Sequence, residues 1–123
     1  LNNNKKTVVF IGYPKCLYCR SAIGTFIETS NKVNIDKVYY LDITKEDKNS
    51  DSYKEILKIL GYNSKDNIEI YTPTVVFMEG KGIVFQNKDT IEKHYDPYQM
   101  FTKQFKEGLE EIYLYGFKLL NYN

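Results

Sequence analysis

The sequence contains few of the residues that bind metals. Among its 123 residues are two cysteines, Cys16 and Cys19, and one histidine, His94. A structural zinc ion normally takes four cysteine or histidine ligands, which one copy of this chain cannot supply. We therefore expect neither a metal site nor a cofactor. An iron–sulfur cluster shared between two copies is the remaining alternative.

The sequence also lacks a concentration of one charge. Its 17 basic and 16 acidic residues give a net charge of +1 at pH 7. The two signs are interleaved along the chain, for example at Lys32, Asp36, Lys37 and Asp42. Surfaces that bind nucleic acid need clustered Lys or Arg, so we expect no nucleic-acid partner.

No apolar run approaches the roughly 18 residues that a membrane-spanning helix needs. The chain begins with Leu1 rather than methionine, so we expect that a signal peptide or an N-terminal membrane tether preceded it. Another kind of processing at the start is the alternative. The expected location is extracytoplasmic, secreted or membrane-anchored, with a cytoplasmic location as the alternative.

The hydrophobic pattern divides the chain into strands and helices. Continuous or alternating apolar residues predict strands over Thr7–Ile11, Val38–Ile43, Thr74–Met78 and Ile83–Gln86. Helical spacing predicts three helices. The first covers about Leu17–Asn31. The second lies within 51–62, with Asp51 or Ser52 as its cap and Gly61 just past its end, and the third begins at Asp96 and Pro97. The order, βαβ followed by ββα, predicts one α/β domain over residues 1–123, with a mixed central sheet flanked by helices.

The last turns of the terminal helix, "IYLYGFKLLNY", are apolar almost all round. We expect this segment to be buried against the domain. Contact with a second chain or with a membrane surface is the alternative.

The two cysteines lie in the stretch "VVFIGYPKCLYCR", between the first strand and the first helix. At the first turn of a helix, unpaired backbone N–H groups and the positive end of the helix dipole favour thiolate over thiol. We therefore predict an exposed, reactive Cys16 whose pKa lies below that of a free cysteine, with Lys15 lowering it further. Cys19, one turn inward, is the predicted resolving thiol.

Two other uses of the cysteine pair compete with redox chemistry. A structural disulfide usually closes a longer loop, and a bridge over so short a span constrains little of the unfolded chain. Buried inert thiols are expected of scattered cysteines rather than of a pair at a helix N-terminus. Redox chemistry is the favoured interpretation.

Two motifs carry a resemblance to a known family. Cys16-Leu17-Tyr18-Cys19 opens a helix after a buried strand, and Thr72-Pro73-Thr74 opens the hairpin. Together with the order of the elements, they resemble the thioredoxin superfamily from about Lys6 to Leu120, which implies a thioredoxin-like fold. The stretch around the cysteines is most similar to the thioredoxin-like bacteriocin transport accessory proteins of Gram-positive bacteria, many of which work outside the membrane.

The resemblance also implies a substrate site. The Thr72–Pro73 bond is expected to be cis, with Pro73 against the cysteine pair and the Thr72 backbone available to a substrate strand. An ordinary proline at the start of a strand is the alternative. Tyr13 and Tyr18 flank the cysteines and are candidates for an aromatic lip that binds a peptide, with ordinary packing as the alternative.

The sequence departs from the family at three places. Phe10 stands six residues before Cys16, where thioredoxin has a buried acid that assists proton transfer from the resolving thiol. Lys15 stands where thioredoxin has tryptophan, and Leu-Tyr stands between the cysteines in place of Gly-Pro. We expect Asp42 only to terminate the second strand; partial replacement of the missing acid is the alternative.

The expected function is that of a thiol/disulfide oxidoreductase acting on protein disulfides together with a redox partner protein. Cys16 attacks and Cys19 resolves, while Thr72, Pro73 and the two flanking tyrosines bind the substrate. The alternative is a thioredoxin-like accessory or peptide-binding module with little redox turnover.

Overall fold

The computed structural model describes residues 5–62, 70–88 and 102–122. These residues form four β-strands and three α-helices, in the order β1 (Lys6–Gly12), α1 (Leu17–Lys32), β2 (Tyr39–Asp42), α2 (Asp51–Ile59), β3 (Thr74–Glu79), β4 (Gly82–Lys88) and α3 (Lys103–Leu119). A 3-10 helix (Ile43–Lys45) directly follows β2. The fold is α/β, as the hydrophobic pattern predicts.

The four strands form one mixed sheet in the order β2-β1-β3-β4. β1 pairs parallel with β2, with Gly12 opposite Asp42, and antiparallel with β3. β3 and β4 form the predicted antiparallel hairpin, with a register irregularity between Phe77 and Met78. β1 is therefore an inner strand, and its C-terminal end leads into the cysteine segment.

Side chains of β1 pack into layers on both faces of the sheet. Val8 and Phe10 belong to the larger core cluster, to which α1 contributes Phe26 and α3 contributes Phe117. Ile11 belongs to a smaller cluster that α2 covers. Because successive side chains of a strand point to opposite faces, α1 and α3 lie on one face and α2 on the other.

Aromatic rings join β1, α1 and α3. Phe26 packs against Phe10 with ring centroids 5.4 Å apart, and edge-on against Tyr113 at 5.7 Å. Phe117 packs edge-on against Phe77 at 5.1 Å. None of these side chains is more than 1% exposed. Edge-on and tilted pairs at such distances are favourable beyond the area they bury, so this cluster holds α1, and with it the cysteine segment, against the sheet.

The N-terminus of α2 differs from the prediction by one residue or two. Ser50, rather than Asp51 or Ser52, is the cap: its backbone is extended and its Oγ accepts a hydrogen bond from the Tyr53 N–H at 3.1 Å. Serine is among the best N-cap residues, and several polar residues in a row offered competing positions. Gly61 lies just past the end of α2, as predicted.

The N-terminus of α3 also differs from the prediction. α3 begins at Lys103, because Thr102 has an extended backbone and its Oγ1 accepts a hydrogen bond from the Phe105 N–H. The predicted start at Asp96 and Pro97 lies outside the described residues. α3 itself does not extend back beyond its threonine cap.

The apolar end of the chain is buried on one side only. Tyr113, Phe117 and Leu120 are at most 1% exposed, whereas Tyr115 is 53% exposed and Leu119 41% exposed. Burial of this segment is therefore confirmed for the side of α3 that faces the sheet. Tyr115 nevertheless packs edge-on against Phe85 of β4, with ring centroids 5.2 Å apart.

Gly116 provides a test of how closely α3 packs on the sheet. A methyl group added at this position would lie 2.6 Å from Phe77 Cδ1, closer than packed carbon atoms approach. We expect Gly116→Ala to lower the free energy of unfolding by about 1–3 kcal/mol, the usual effect of overpacking a core. Urea denaturation followed by circular dichroism measures the change.

Gly24→Ala in α1 is the matched control. Nothing lies within 4 Å of the added carbon, so the higher helix propensity of alanine should raise the free energy of unfolding by about 0.5–1 kcal/mol. If both substitutions stabilised the protein equally, α3 would not contact the Phe77 ring as described.

Candidate functional site

Cys16 caps the N-terminus of α1. Its backbone is extended (φ −72°, ψ 114°), and its Sγ accepts a hydrogen bond from the Cys19 N–H at 3.1 Å. The Cys16 N–H in turn donates to the Tyr13 carbonyl oxygen at 3.1 Å, which closes the turn between β1 and α1. The sulfur therefore lies where the unpaired N–H groups of the helix favour negative charge.

Cys19 lies one turn into α1, against the end of β1. Both cysteines are free thiols, and their side chains are in contact without a disulfide bond. A carbon added at Gly12 would lie 2.8 Å from Cys19 Sγ and 3.1 Å from Phe10 Cε1. The thiol of Cys19 thus occupies space that is open only because residue 12 has no side chain.

The expectation of an exposed Cys16 is wrong for this conformation. Cys16 is 6% exposed and Cys19 is 3% exposed. Thr72 lies beside Cys16, with its Oγ1 at 3.6 Å and its carbonyl oxygen at 3.9 Å from the sulfur. Tyr13 and Tyr18 pack against the same core cluster. Thr72 is remote from Cys16 in sequence, whereas the two tyrosines flank the cysteine pair. Together these neighbours shield Cys16 from solvent.

The predicted conformation of the Thr72–Pro73 peptide bond is confirmed. The bond is cis, Pro73 is buried, and β3 begins at the next residue. The Thr74 hydroxyl donates to the Tyr71 carbonyl oxygen at 2.6 Å. The loop before β3 and the N-terminus of α1 therefore meet at Cys16.

A cleft of about 280 Å³ opens beside Cys16. Its described lining comes from the turn after β1, the segment after β2, α2 and the loop before β3, namely Tyr13, Ile43, Thr44, Lys48, Tyr53, Ile70 and Thr72. Two predicted substrate-binding residues, Tyr13 and Thr72, thus border the same space. Tyr18 is half-buried against the larger core cluster, and Lys15 is exposed next to Cys16.

The surroundings of Phe10 and Asp42 agree with the sequence interpretation. Phe10 is fully buried and stacks on Tyr40 with ring centroids 5.8 Å apart, so an apolar ring occupies the position six residues before Cys16. Asp42 Oδ1 accepts hydrogen bonds from the Thr44 N–H at 3.0 Å and the Thr44 hydroxyl at 2.6 Å. The carboxylate therefore caps the 3-10 helix at the end of β2.

Sequence reasoning passed over three residues of this site. Gly12 directly follows the predicted strand Thr7–Ile11, and a glycine shortly before a cysteine pair is a signal of close packing. Thr44 and Lys48 lie in the polar stretch "TKEDKNSDS", which gives no local sign of facing a cleft. His94, the one histidine of the sequence, lies outside the described residues.

Within residues 5–62, 70–88 and 102–122, no three His, Cys, Asp or Glu side chains are grouped so that they could hold a metal ion. In the same ranges, no helix has the length and apolar character needed to cross a membrane. No protein-family model and no curated protein sequence matches the chain.

We expect Gly12→Ala to lower the free energy of unfolding by about 1–3 kcal/mol, because the added methyl group and the Cys19 thiol overlap. Urea denaturation under reducing conditions, followed by circular dichroism, measures this cost. Reducing conditions matter because they keep both cysteines as thiols throughout.

The same substitution in a Cys19→Ala background is the control. Without Cys19 Sγ, Gly12→Ala should cost less, with a coupling energy within the usual range of about 0.5–3 kcal/mol for residues in contact. Strictly additive effects of the two substitutions would show that Gly12 and Cys19 do not compete for space.

Proposed function

We propose that this chain is a thiol/disulfide oxidoreductase with a thioredoxin-like fold, acting on protein disulfides. The observation that carries the proposal is the placement of two free thiols in contact at the N-terminus of α1. Cys16 Sγ already accepts one helix N–H group. Such an environment favours the thiolate, which is the nucleophile in disulfide exchange.

In the proposed reaction, the Cys16 thiolate attacks one sulfur of a substrate disulfide. The substrate S–S bond breaks, a Cys16–substrate disulfide forms, and the other substrate sulfur leaves as a thiolate that takes up a proton. Cys19 then loses its proton and attacks Cys16 Sγ, which releases the second substrate thiolate. Two electrons have passed to the substrate, and a dithiol of a redox partner protein reduces the Cys16–Cys19 disulfide.

The contact between the two thiols supports both steps. An intramolecular attack by Cys19 needs no encounter with a second molecule, and a correctly oriented intramolecular group reacts at a high effective concentration. A structural role for a disulfide here has less support, because a loop of this length removes little entropy from the unfolded chain.

The thioredoxin-like part of the proposal is supported by the arrangement of the sheet and loops. The strand order β2-β1-β3-β4, the cysteine pair directly after the inner strand β1, and the cis bond before Pro73 agree with what the resemblance implies. By the same resemblance, we propose a place among the thioredoxin-like bacteriocin transport accessory proteins and an extracytoplasmic location, secreted or membrane-anchored.

A second candidate function is a peptide-binding accessory module with little turnover. The cleft beside Thr72 favours it, since a space of about 280 Å³ can receive a side chain whether or not a sulfur reacts. The burial of both thiols also favours it. Turnover of a small disulfide separates the two functions.

We expect Cys16→Ser to abolish reduction of 2-hydroxyethyl disulfide, measured with a dithiothreitol-regenerated assay corrected for the uncatalysed rate. Serine retains an oxygen that can cap α1, so the fold should persist. Cys19→Ser should instead stop after the first step and accumulate a mixed disulfide with the substrate, visible as added mass. Unchanged turnover in Cys16→Ser would overturn the redox proposal, and no turnover in the unaltered protein would favour the binding module.

We also expect slow reduction of insulin compared with a conventional thioredoxin. Phe10 is fully buried and brings no carboxylate to the position from which the family's acid assists the resolving thiol. Assistance of that kind is typically worth about 10²- to 10⁴-fold in rate. The turbidity assay for insulin reduction measures the difference, and a rate equal to that of thioredoxin would contradict the role given to this position.

Phe10→Asp tests the same point from the other side. The substitution removes a ring that packs on Phe26 and Tyr40, so the protein should lose stability, and the rate is compared within the folded temperature range. In folded protein the added carboxylate should raise the rate of insulin reduction. Phe10→Leu is the matched control, since it also removes the ring but adds no proton acceptor and should not raise the rate.

A further inference from the structure

The loop before β3 is held on both sides of Tyr71. The Tyr71 N–H donates a hydrogen bond to the hydroxyl oxygen of Tyr62 at 3.3 Å. The carbonyl oxygen of Tyr71 accepts a hydrogen bond from the Thr74 hydroxyl at 2.6 Å. Both backbone polar groups of Tyr71 are therefore bonded to side chains, one from a residue just past α2 and one from the first residue of β3.

Tyr62 is itself fixed to the end of α2. Its backbone N–H donates to the Leu57 carbonyl oxygen at 2.9 Å, directly after Gly61, whose positive φ of 85° ends the helix. The Tyr62 ring packs against the smaller core cluster, and Lys88 Nζ lies 4.3 Å from the ring centroid. The hydroxyl that bonds the loop thus belongs to a side chain with a defined position.

The residue after Tyr71 lies against the reacting sulfur. Thr72 places its hydroxyl oxygen 3.6 Å from Cys16 Sγ, and its carbonyl oxygen lies farther away, at 3.9 Å. The carbonyl oxygen can only accept a hydrogen bond from the thiol, whereas the hydroxyl can donate one to the thiolate. A hydrogen bond to the charged form of a group favours that form, so the Thr72 hydroxyl is the group of this loop that can stabilise the Cys16 thiolate.

One peptide unit separates the bonded backbone of Tyr71 from Thr72. A peptide unit is planar, and each residue has only two soft backbone dihedrals. Fixing the Tyr71 N–H and carbonyl group therefore limits where the Thr72 hydroxyl can lie. The Tyr62 hydroxyl reaches this loop from the end of α2, which packs on the opposite face of the sheet from the cysteine helix α1.

We propose that Tyr62 is a positioning residue of the redox site. Its hydroxyl holds the loop before β3 so that the Thr72 hydroxyl remains within hydrogen-bonding distance of Cys16 Sγ. Tyr62 acts through Thr72 and not by contact with the sulfur. The proposal rests on the thiol/disulfide exchange proposed above, and it gives the C-terminal end of α2 a part in setting the reactivity of Cys16.

The experiment measures the rate at which iodoacetamide alkylates Cys16 as a function of pH. The thiolate forms an S–C bond with the reagent and iodide leaves, so the rate follows the thiolate fraction. All variants carry Cys19→Ala, which leaves Cys16 as the only thiol and retains the backbone N–H of residue 19. The midpoint pH of the rate profile is compared between variants that circular dichroism shows to be folded.

Thr72→Val replaces the hydroxyl beside the sulfur by a methyl group. We expect it to raise the midpoint by about one pH unit, the shift that corresponds to the loss of one hydrogen bond to the thiolate. Thr72→Ser retains a hydroxyl and should restore most of this difference. Tyr62→Phe removes only the hydroxyl that holds the loop, and we expect it to raise the midpoint by about half a unit, because the bond from Thr72 is weakened rather than removed.

Tyr71→Phe is the matched control. It removes a tyrosine hydroxyl from the same loop, on a side chain that is 61% exposed, and it leaves the bonds of the Tyr71 backbone in place. We expect the midpoint to stay unchanged. A shift equal to that of Tyr62→Phe would contradict the specific role of the Tyr62 hydroxyl.

The combination of Tyr62→Phe with Thr72→Val tests whether Tyr62 acts through Thr72. If it does, the two effects are not additive, and the double variant should have the midpoint of Thr72→Val alone. No shift in Tyr62→Phe, or an equal shift with and without the Thr72 hydroxyl, would overturn the positioning role.

Turnover of 2-hydroxyethyl disulfide by the protein with both cysteines decides the redox function separately. Turnover together with a midpoint that Tyr62→Phe leaves unchanged would overturn the positioning role alone. No turnover would overturn the redox function, while the alkylation profiles, which need no turnover, still decide whether Tyr62 controls the reactivity of Cys16 through Thr72.

Discussion

The hydrogen bond from the Cys19 N–H to Cys16 Sγ is the interaction on which the rest of the site depends. It makes Cys16 both the cap of α1 and the nucleophile of the proposed reaction, so the start of the helix and the chemistry occupy the same residue. A helix N-terminus stabilises a thiolate only while the sulfur remains close to its N–H groups. The packing of α1 against the sheet therefore also keeps Cys16 Sγ next to these N–H groups.

That packing comes from β1 and the aromatic core beneath it. The contact between Phe10 and Phe26 packs α1 against the inner strand β1. Because Gly12 has no side chain, Cys19 can approach the end of that strand. The same arrangement bears on the proposed reaction, because the residue six positions before Cys16 is the apolar Phe10 and brings no proton acceptor to the neighbourhood of Cys19. The close packing and the slow proton transfer expected in the proposed reaction thus have one structural cause.

The loop before β3 supplies the residues of the site that lie opposite the N-terminus of α1. Thr72 covers Cys16 and borders the cleft, so it links the reacting sulfur to the surface that would contact a substrate. The remaining walls come from the segment after β2 and from α2, which lie on the opposite face of the sheet from α1. A substrate in the cleft would therefore contact elements of both layers, and its fit would depend on how β1 and β3 align them.

The sequence by itself determined the strands, the helices and the position of the cysteine pair, because apolar periodicity and capping are local properties of the chain. It misplaced the cap of α2, where neighbouring polar residues compete for one role. Only the tertiary structure decided that Cys16 is buried, that Gly12 gives space to Cys19 and that Lys48 faces a cleft beside Thr72. Thr72 and Cys16 are 56 positions apart in the chain, and contacts across such separations depend on the register of paired strands and the packing of helices on them, which no local pattern encodes.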